Sequence, residues 1–336
     1  MLSNGASRRR TFTHLSGLIA GMGVLTLLIS SASAASTSAA PNVSGSNSGV
    51  ESAGSAGVEQ RVFNPTNAIR RRCPAANCDT ANNWAGYTVP EKDAVPFTEV
   101  TGSWEQPTVH CTVAQADTAI WVGLDGAGDQ VQTDAEDVEQ TGTLAFCPNR
   151  GATPSYFAWW EFASTNGIQL FNYNDPTDNV LNDWVPANAN QAGLRCPAPP
   201  APALNCITVH PNDVFVSTVT FNGTWTFTVT DTTTKQQASV VNAPTPGDCT
   251  CARETAEWIV ERTATGGMNR PLGQWKQGVI VYHDTADGMA INAFPGYHRL
   301  WMTNNAGTQL LATVTKLHNN GTSFIAHWNA AGQLGM

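Results

Sequence analysis

Polar residues embedded in aromatic runs set the chemistry to be considered. In "AEWIVE" (Ala256 to Glu261), a two-residue period places Ala256, Trp258 and Val260 on one strand face and Glu257, Ile259 and Glu261 on the other. In "YFAWWEF" (Tyr156 to Phe162), Glu161 shares its face with Phe157 and Trp159. A carboxylate among aromatics loses hydration, which raises its pKa unless a donor compensates, and such a group suits general acid–base work. "EQTGT" (Glu139 to Thr143) adds Gln140, whose amide both donates and accepts, beside a glycine where backbones can approach closely. "WVGLDG" (Trp121 to Gly126) ends in an Asp-Gly turn at Asp125. Each stretch alone has a plainer reading: solvated carboxylates on an amphipathic strand, a strand-end Glu161, an ordinary Gln140, a turn.

Other chemistries find no support. The chain has no HExxH, Gly-x-Ser-x-Gly, phosphate-cradling loop, Asp-Thr-Gly or Asp-Ser-Gly. Its seven histidines are scattered, and His283-Asp284 is the one suggestive neighbour pair. Eight cysteines are an even number, for which disulfides are expected in an exported chain. Cys73 with Cys78, and Cys196 with Cys206, are candidate pairs. With no CxxC pair or HxxxH partner, neither metal nor cofactor is expected.

The elements that must position these residues read as strands. "FTEVTGSWEQP", "TAIWVGLDG", "SYFAWWEF", "DVFVSTVTFNGTWTFTVTD", "ETAEWIVER", "QGVIVYH", "QLLATVTKL" and "TSFIAHW" are short alternating runs broken by Gly, Pro, Asn and Asp. "TFNGTWTF" carries an Asn-Gly hairpin signal. Long helical periods and internal repeats are missing, so an all-β antiparallel sandwich or barrel is expected. Segment 178–206, rich in Pro, Ala and Asn, reads as a long loop.

The N-terminal quarter is of another kind. Arg8-Arg9-Arg10, an apolar run from about Leu15 to Ile29, and Ala32-Ser33-Ala34 form the three parts of an export signal over residues 1–34. "RRTF" (Arg9 to Phe12) also fits a twin-arginine signal. Residues 35–81 are Ser-, Ala-, Gly- and Asn-rich and read as a disordered linker or pro-segment, with Arg70-Arg71-Arg72 as a possible processing site. Residues 82–336 then form one domain, and a secreted, extracellular protein is expected. The triplets at Asn42, Asn222 and Asn320 matter only in a glycosylating pathway.

Charge narrows the partners. The chain carries 17 Lys and Arg against 26 Asp and Glu, a net charge of −9. Without residues 1–34 it carries 14 cations against 26 acids, a net −12; cut after Arg72 it would carry ten against 24, a net −14. Nucleic acid and anionic membranes are poor partners for such a surface. With few cations, few carboxylates can depend on ion pairs, which suits a protein working in acid.

"NWAGY", "VTGSWEQP", "AIWVGLDG", "EQTGT", "YFAWWEF" and "AEWIVE" occur in this order between Asn83 and Glu261. The series resembles the glutamic peptidases, the eqolisin family of secreted acid endopeptidases of the scytalidoglutamic and aspergilloglutamic type. The resemblance implies a concanavalin A-like β-sandwich of two curved antiparallel sheets and a catalytic pair, Gln140 and Glu257. It also implies Trp84, Trp121, Asp125 and Glu161 as residues that line and support the cleft; Glu261, on the same strand face as Glu257, is read as solvated. Glu257 would take a proton from water and return it to the leaving amine, and Gln140 would hold the water and the oxyanion. The expected partners are polypeptide substrates, and the expected state is a monomer. Two departures stand out: Leu144 occupies a position where the fungal enzymes commonly have aspartate, and segment 178–206 looks like an insertion. The competing expectations are a jelly-roll glycoside hydrolase using Glu161 and Glu257, and a non-catalytic carbohydrate-binding sandwich.

Overall fold

The structure is a computed structural model that describes residue 73 and residues 77–127, 138–163, 168–171, 207–247, 249–265 and 268–333. The export signal, the segment 178–206 and the Cys196–Cys206 pairing lie outside the described residues.

Fourteen strands of four or more residues make up the described chain. They are β1 (Cys78–Ala81), β2 (Trp84–Pro90), β3 (Glu99–Glu105), β4 (Ala116–Leu124), β5 (Glu139–Cys147), β6 (Ser155–Phe162) and β7 (Val214–Phe221). The remainder are β8 (Trp225–Asp231), β9 (Gln236–Ala243), β10 (Thr255–Glu261), β11 (Val279–Ala286), β12 (His298–Thr303), β13 (Leu310–Val314) and β14 (Ser323–Trp328). Helix among the described residues is confined to two 3-10 turns, Ile291–Ala293 and Asn319–Gly321. No helix there is long and apolar enough to cross a membrane. Strand β1 occupies the last four residues of the stretch read as linker or pro-segment. It pairs in parallel with β12, and Cys73–Cys78 joins its first residue to the preceding segment, so ordered structure starts before Asn82.

Hydrogen bonding runs in one path, β9-β8-β7-β3-β11-β14-β13-β12-β2-β10-β4-β5-β6. The path folds over near β13, so that β3, β7 and β8 of one curved sheet pack across β4, β5, β6 and β10 of the other. All these neighbours are antiparallel. This is the expected sandwich. The Asn-Gly hairpin is present as well, with Phe221 opposite Trp225 across the β7–β8 turn.

Between the sheets lie Tyr87, Trp104, Ile120, Val122, Phe215, Trp225, Phe227, Ala256, Trp258 and Val260, all buried. Burying one large ring contributes roughly 4–6 kcal/mol before the ordering entropy is counted. Indole N–H groups must still find acceptors there. Trp104 Nε1 donates to Thr143 Oγ1 at 2.8 Å, and Trp258 Nε1 donates to the Thr101 carbonyl at 2.8 Å, so both cross from one sheet to the other. Cys111–Cys147 ties the segment after β3 to the end of β5, and Cys249 pairs with Cys251 ahead of β10.

One irregularity changes the composition of this core. The pairing of β11 with β3 slips between Tyr282 and Thr285, where His283 has φ 57°. A bulge of this kind re-aims the next side chain. His283 faces solvent and Asp284 turns into the sandwich, fully buried.

Candidate active site

The alternation that sends Ala256, Trp258 and Val260 into the sandwich sends Glu257, Ile259 and Glu261 to the opposite face of the same sheet. Register then decides which side chains meet there. Glu257 of β10 stands opposite Gly123 of β4, Gly123 opposite Gln140 of β5, and Gln140 opposite Glu161 of β6. On the other side Glu257 is opposite Thr88 of β2. The four polar positions form one row at right angles to the strands. Adjacent strands lie about 4.8 Å apart, so Glu257 and Gln140 are ~10 Å apart at the backbone, with a glycine between them.

Glu257 is fully buried, and among the described residues neither carboxyl oxygen has a hydrogen-bond partner of ordinary geometry. Burial lifts its pKa well above the usual range; the Thr255 hydroxyl and the Ala127 N–H offset this only in part, and nearby Asp125 pushes it further up. Gln140 Nε2 donates to Glu161 Oε2 at 2.8 Å, while Gln140 Oε1 is buried without a partner among the described residues. Glu161 therefore fixes which way the amide faces, with one N–H on itself and the carbonyl oxygen left for something else. Burial raises Glu161 to about 7, against the lowering effect of the Gln140 donor.

Gly123 is what keeps the middle of the row open. A Cβ there would lie 2.9 Å from the Trp121 ring, 3.0 Å from Val138 and 3.2 Å from the Gln140 Cβ. Gly123→Ala should displace Gln140 and cut kcat/KM for a protein substrate at least tenfold, with the far-UV circular dichroism unchanged. Parent-like activity in that variant would show that the spacing of the row is unimportant.

The other residues expected at the cleft lie around this row. Trp84 and Trp121 meet edge-on with ring centroids 4.9 Å apart, beside Trp159, Leu144, Phe157 and Ile259. Leu144, where the fungal pattern has aspartate, belongs to this apolar cluster. Asp125 sits at φ 65° in the turn after β4 and accepts the backbone N–H groups of Arg253 and Glu254 at 2.5 and 2.7 Å. Its carboxylate thus pins the entry to β10 and does not belong to the row. The sequence placed Glu261 in solvent, and this is corrected: Glu261 is 7% exposed and accepts from Trp121 Nε1 at 2.7 Å and Asn83 Nδ2 at 2.9 Å. Burial raises it to about 8. Its role here is to hold the Trp121 indole. The alternation had put it on the right face, but its two partners lie 140 and 178 residues away in the chain. Gly123 and Thr88 were also missed, being a turn-flanking glycine and one threonine among many.

Behind Glu261 the end of β10 is anchored by Asp117, which accepts from the Thr263 N–H and hydroxyl and lies 3.6 Å from Arg270. Among the described residues, the grouping with metal-ligating atoms in reach of one another is Glu139, Cys249 and Cys251. Its two sulfurs are joined in a disulfide, so they are not thiolate ligands.

Residues 82–320 match the model of the peptidase A4 family, more than two thirds of the chain, and the class this defines is the glutamic endopeptidases. The chain belongs to the peptidase A4 family. Among solved structures it is similar to a scytalido-glutamic peptidase crystallised with a peptide-based transition-state analog, at 19% identity and a TM-score of 0.51, over 74% of this chain and 98% of that one. It is also similar to SCP-B, a member of the eqolisin family of peptidases, in complex with the tripeptide Ala-Ile-His, at 18% identity and a TM-score of 0.50, with the same coverage. At such identities the likeness carries the fold. No curated protein matches the chain.

Proposed function

We propose that this protein is an exported acid endopeptidase in which Glu257 and Gln140 act together on a water and the scissile amide of a polypeptide. The observation that carries the reading is the row itself: the buried Glu257 carboxyl and the buried Gln140 Oε1, for which no hydrogen bond of ordinary geometry is made among the described residues, flank the one position without a side chain. Burial holds the Glu257 proton well above the ordinary carboxyl range, so in acid the cycle starts from the protonated carboxyl. Its hydroxyl gives a proton to the scissile carbonyl oxygen while its second oxygen takes one from the attacking water, and the new C–O bond yields a tetrahedral diol. In the second half the carboxyl gives its proton to nitrogen and takes one from a diol hydroxyl as the C–N bond breaks. Acid and amine leave, and Glu257 is protonated as at the start. Gln140 accepts from the water through Oε1, and its second amide N–H faces the oxygen that gains charge.

The glycosidase alternative requires two carboxyl groups about 5–9.5 Å apart across one bond. Glu161 and Glu257 are three strands apart, ~14 Å at the backbone, with Gln140 between them and bonded to Glu161.

Hydrolysis of denatured casein by the exported protein, followed from pH 2 to 9 with pepstatin present, tests the reading. The expected profile is highest in acid and falls as Glu161, raised to about 7, and Glu257, raised well above the ordinary carboxyl range, ionise. Absence of proteolysis across that range, or complete inhibition by pepstatin, would overturn it.

A further inference from the structure

The sheet that carries the row has a second polar depression on its other face. His298 of β12 lies opposite Thr88, in line with Glu257, whereas the next residue, Arg299, lies opposite Tyr87 and so points away from the row. Arg299 and Tyr87 form the floor of a cavity of about 560 Å³. Tyr297 and Leu317 are half-buried in its walls, and Lys316, His318 and Asn292 stand exposed at its rim.

Arg299 is 5% exposed; its guanidinium meets the Tyr87 hydroxyl, but its Nη2 has no hydrogen-bond partner among the described residues. The guanidinium lies 5.7 Å from the Trp301 ring centroid, and the backbone is fixed by the Arg299 N–H donating to the Asn77 carbonyl at 2.8 Å. The Tyr87 hydroxyl donates to the Thr315 carbonyl at 2.7 Å, so the floor is held from two sides. Among the described residues no carboxylate lines the cavity, although the chain has 26 acids and only 17 Lys and Arg. A buried guanidinium with an unmade hydrogen bond is costly unless an anion meets it.

We propose that this cavity is a carboxylate-binding site, separate from the peptidase row, in which Arg299 grips the carboxylate and Lys316 and the Asn292 amide close over it. Guanidinium presents a planar fork matched to a carboxylate, and the Tyr297, Tyr87 and Leu317 surfaces suit a carbon skeleton attached to it. The space exceeds what an inorganic anion fills. Two sources share this chemistry: a small organic polyacid, and the C-terminal carboxylate of a peptide.

The test is calorimetric titration of the full exported protein at constant ionic strength with citrate, with a short peptide acid, with the same peptide as its C-terminal amide, and with inorganic phosphate. Citrate or the peptide acid should bind with 1:1 stoichiometry, and the tighter of the two identifies the source. Arg299→Gln should abolish the heat, and the exposed Lys316→Gln, which leaves the fold untouched, should weaken binding at least fivefold. Glu257→Gln should bind as the parent does, which separates this site from the peptidase reading. The proposal is overturned if neither citrate nor the peptide acid binds, if phosphate binds as tightly as the carboxylates, if the peptide binds equally as amide and as acid while citrate does not bind, or if Lys316→Gln binds like the parent.

Discussion

Glu257→Gln should leave the protein folded and lower kcat on a protein substrate by three orders of magnitude or more, while Gln140→Ala lowers it 10²- to 10³-fold. The two numbers differ for a physical reason. Glutamine at 257 preserves the shape of the side chain but cannot carry the proton that must be passed twice in each cycle. Loss of Gln140 removes one donor from the developing oxyanion, about 3 kcal/mol in comparable sites, and leaves the proton shuttle in place. The double variant should be no worse than Glu257→Gln by more than a few-fold, because residues acting as a unit are not additive. A further sign is available. The Gln140 amide lowers the pKa of Glu161, so in Gln140→Ala the Glu161 proton should be held to higher pH than the parent value near 7. Steady-state kinetics on a chromogenic peptide across pH reads all three. Retention of most activity in Gln140→Ala would remove the amide from the mechanism.

The second large effect is on stability. Burial raises Asp117 to about 6, Glu161 to about 7 and Glu261 to about 8, and it lifts Glu257 and Asp284 well above the ordinary range. In the unfolded chain these groups titrate near 4. A carboxyl whose folded pKa is raised contributes stability that is fully present below its unfolded value and is lost as pH rises through the folded one. The protein should therefore be most stable below about pH 4 and should lose stability steadily up to pH 8 and beyond. Each unit of displacement is worth about 1.4 kcal/mol, and each kcal/mol about 2–4 °C in a domain of this size. The expected fall in Tm between pH 4 and 8 is at least ~10 °C.

Asp284 isolates one contribution. It is fully buried between the sheets, neither oxygen is hydrogen-bonded among the described residues, and its Oδ1 lies against Gly102, where a Cβ would come within 2.8 Å of it. Trp258 and Val122 touch the same spot. Asp284→Asn keeps the size and removes the ionisation, so the variant should match the parent in acid and be the more stable of the two at pH 8. Calorimetric scans of both proteins at several pH values decide this. A parent Tm that rises with pH, or identical slopes for parent and variant, would contradict it.

The strands were legible because their alternation is local. "DVFVSTVTFNGTWTFTVTD" contains its own hairpin and register, and it became β7 and β8. The sharing of a face by Glu257, Ile259 and Glu261 was equally local. Illegible from the sequence was everything fixed by partners far along the chain: the Trp121 and Asn83 donors that bury Glu261, the Gly123 gap, and the bulge that turns Asp284 inward. β1, β2, β5, β9 and β12 were not read as strands either. β1 is four residues long, and much of β9 is a polar edge that no periodicity marks. The way Asp125 is held was illegible for a related reason, since it accepts backbone N–H groups, which every residue has.

The row from Glu257 to Glu161 lies across the strands, so its spacing is set by the inter-strand ladder and not by the side chains around it. Any sequence that keeps these four strands paired in this register keeps the spacing. A mutation elsewhere in the sheet can alter packing, solubility or the shape of the walls without moving the row. Mutational drift can then run far before the chemistry is touched, and the changes that do touch it are concentrated in a few positions: the row itself, the glycine in its middle, and any insertion or deletion that slips one strand by a residue.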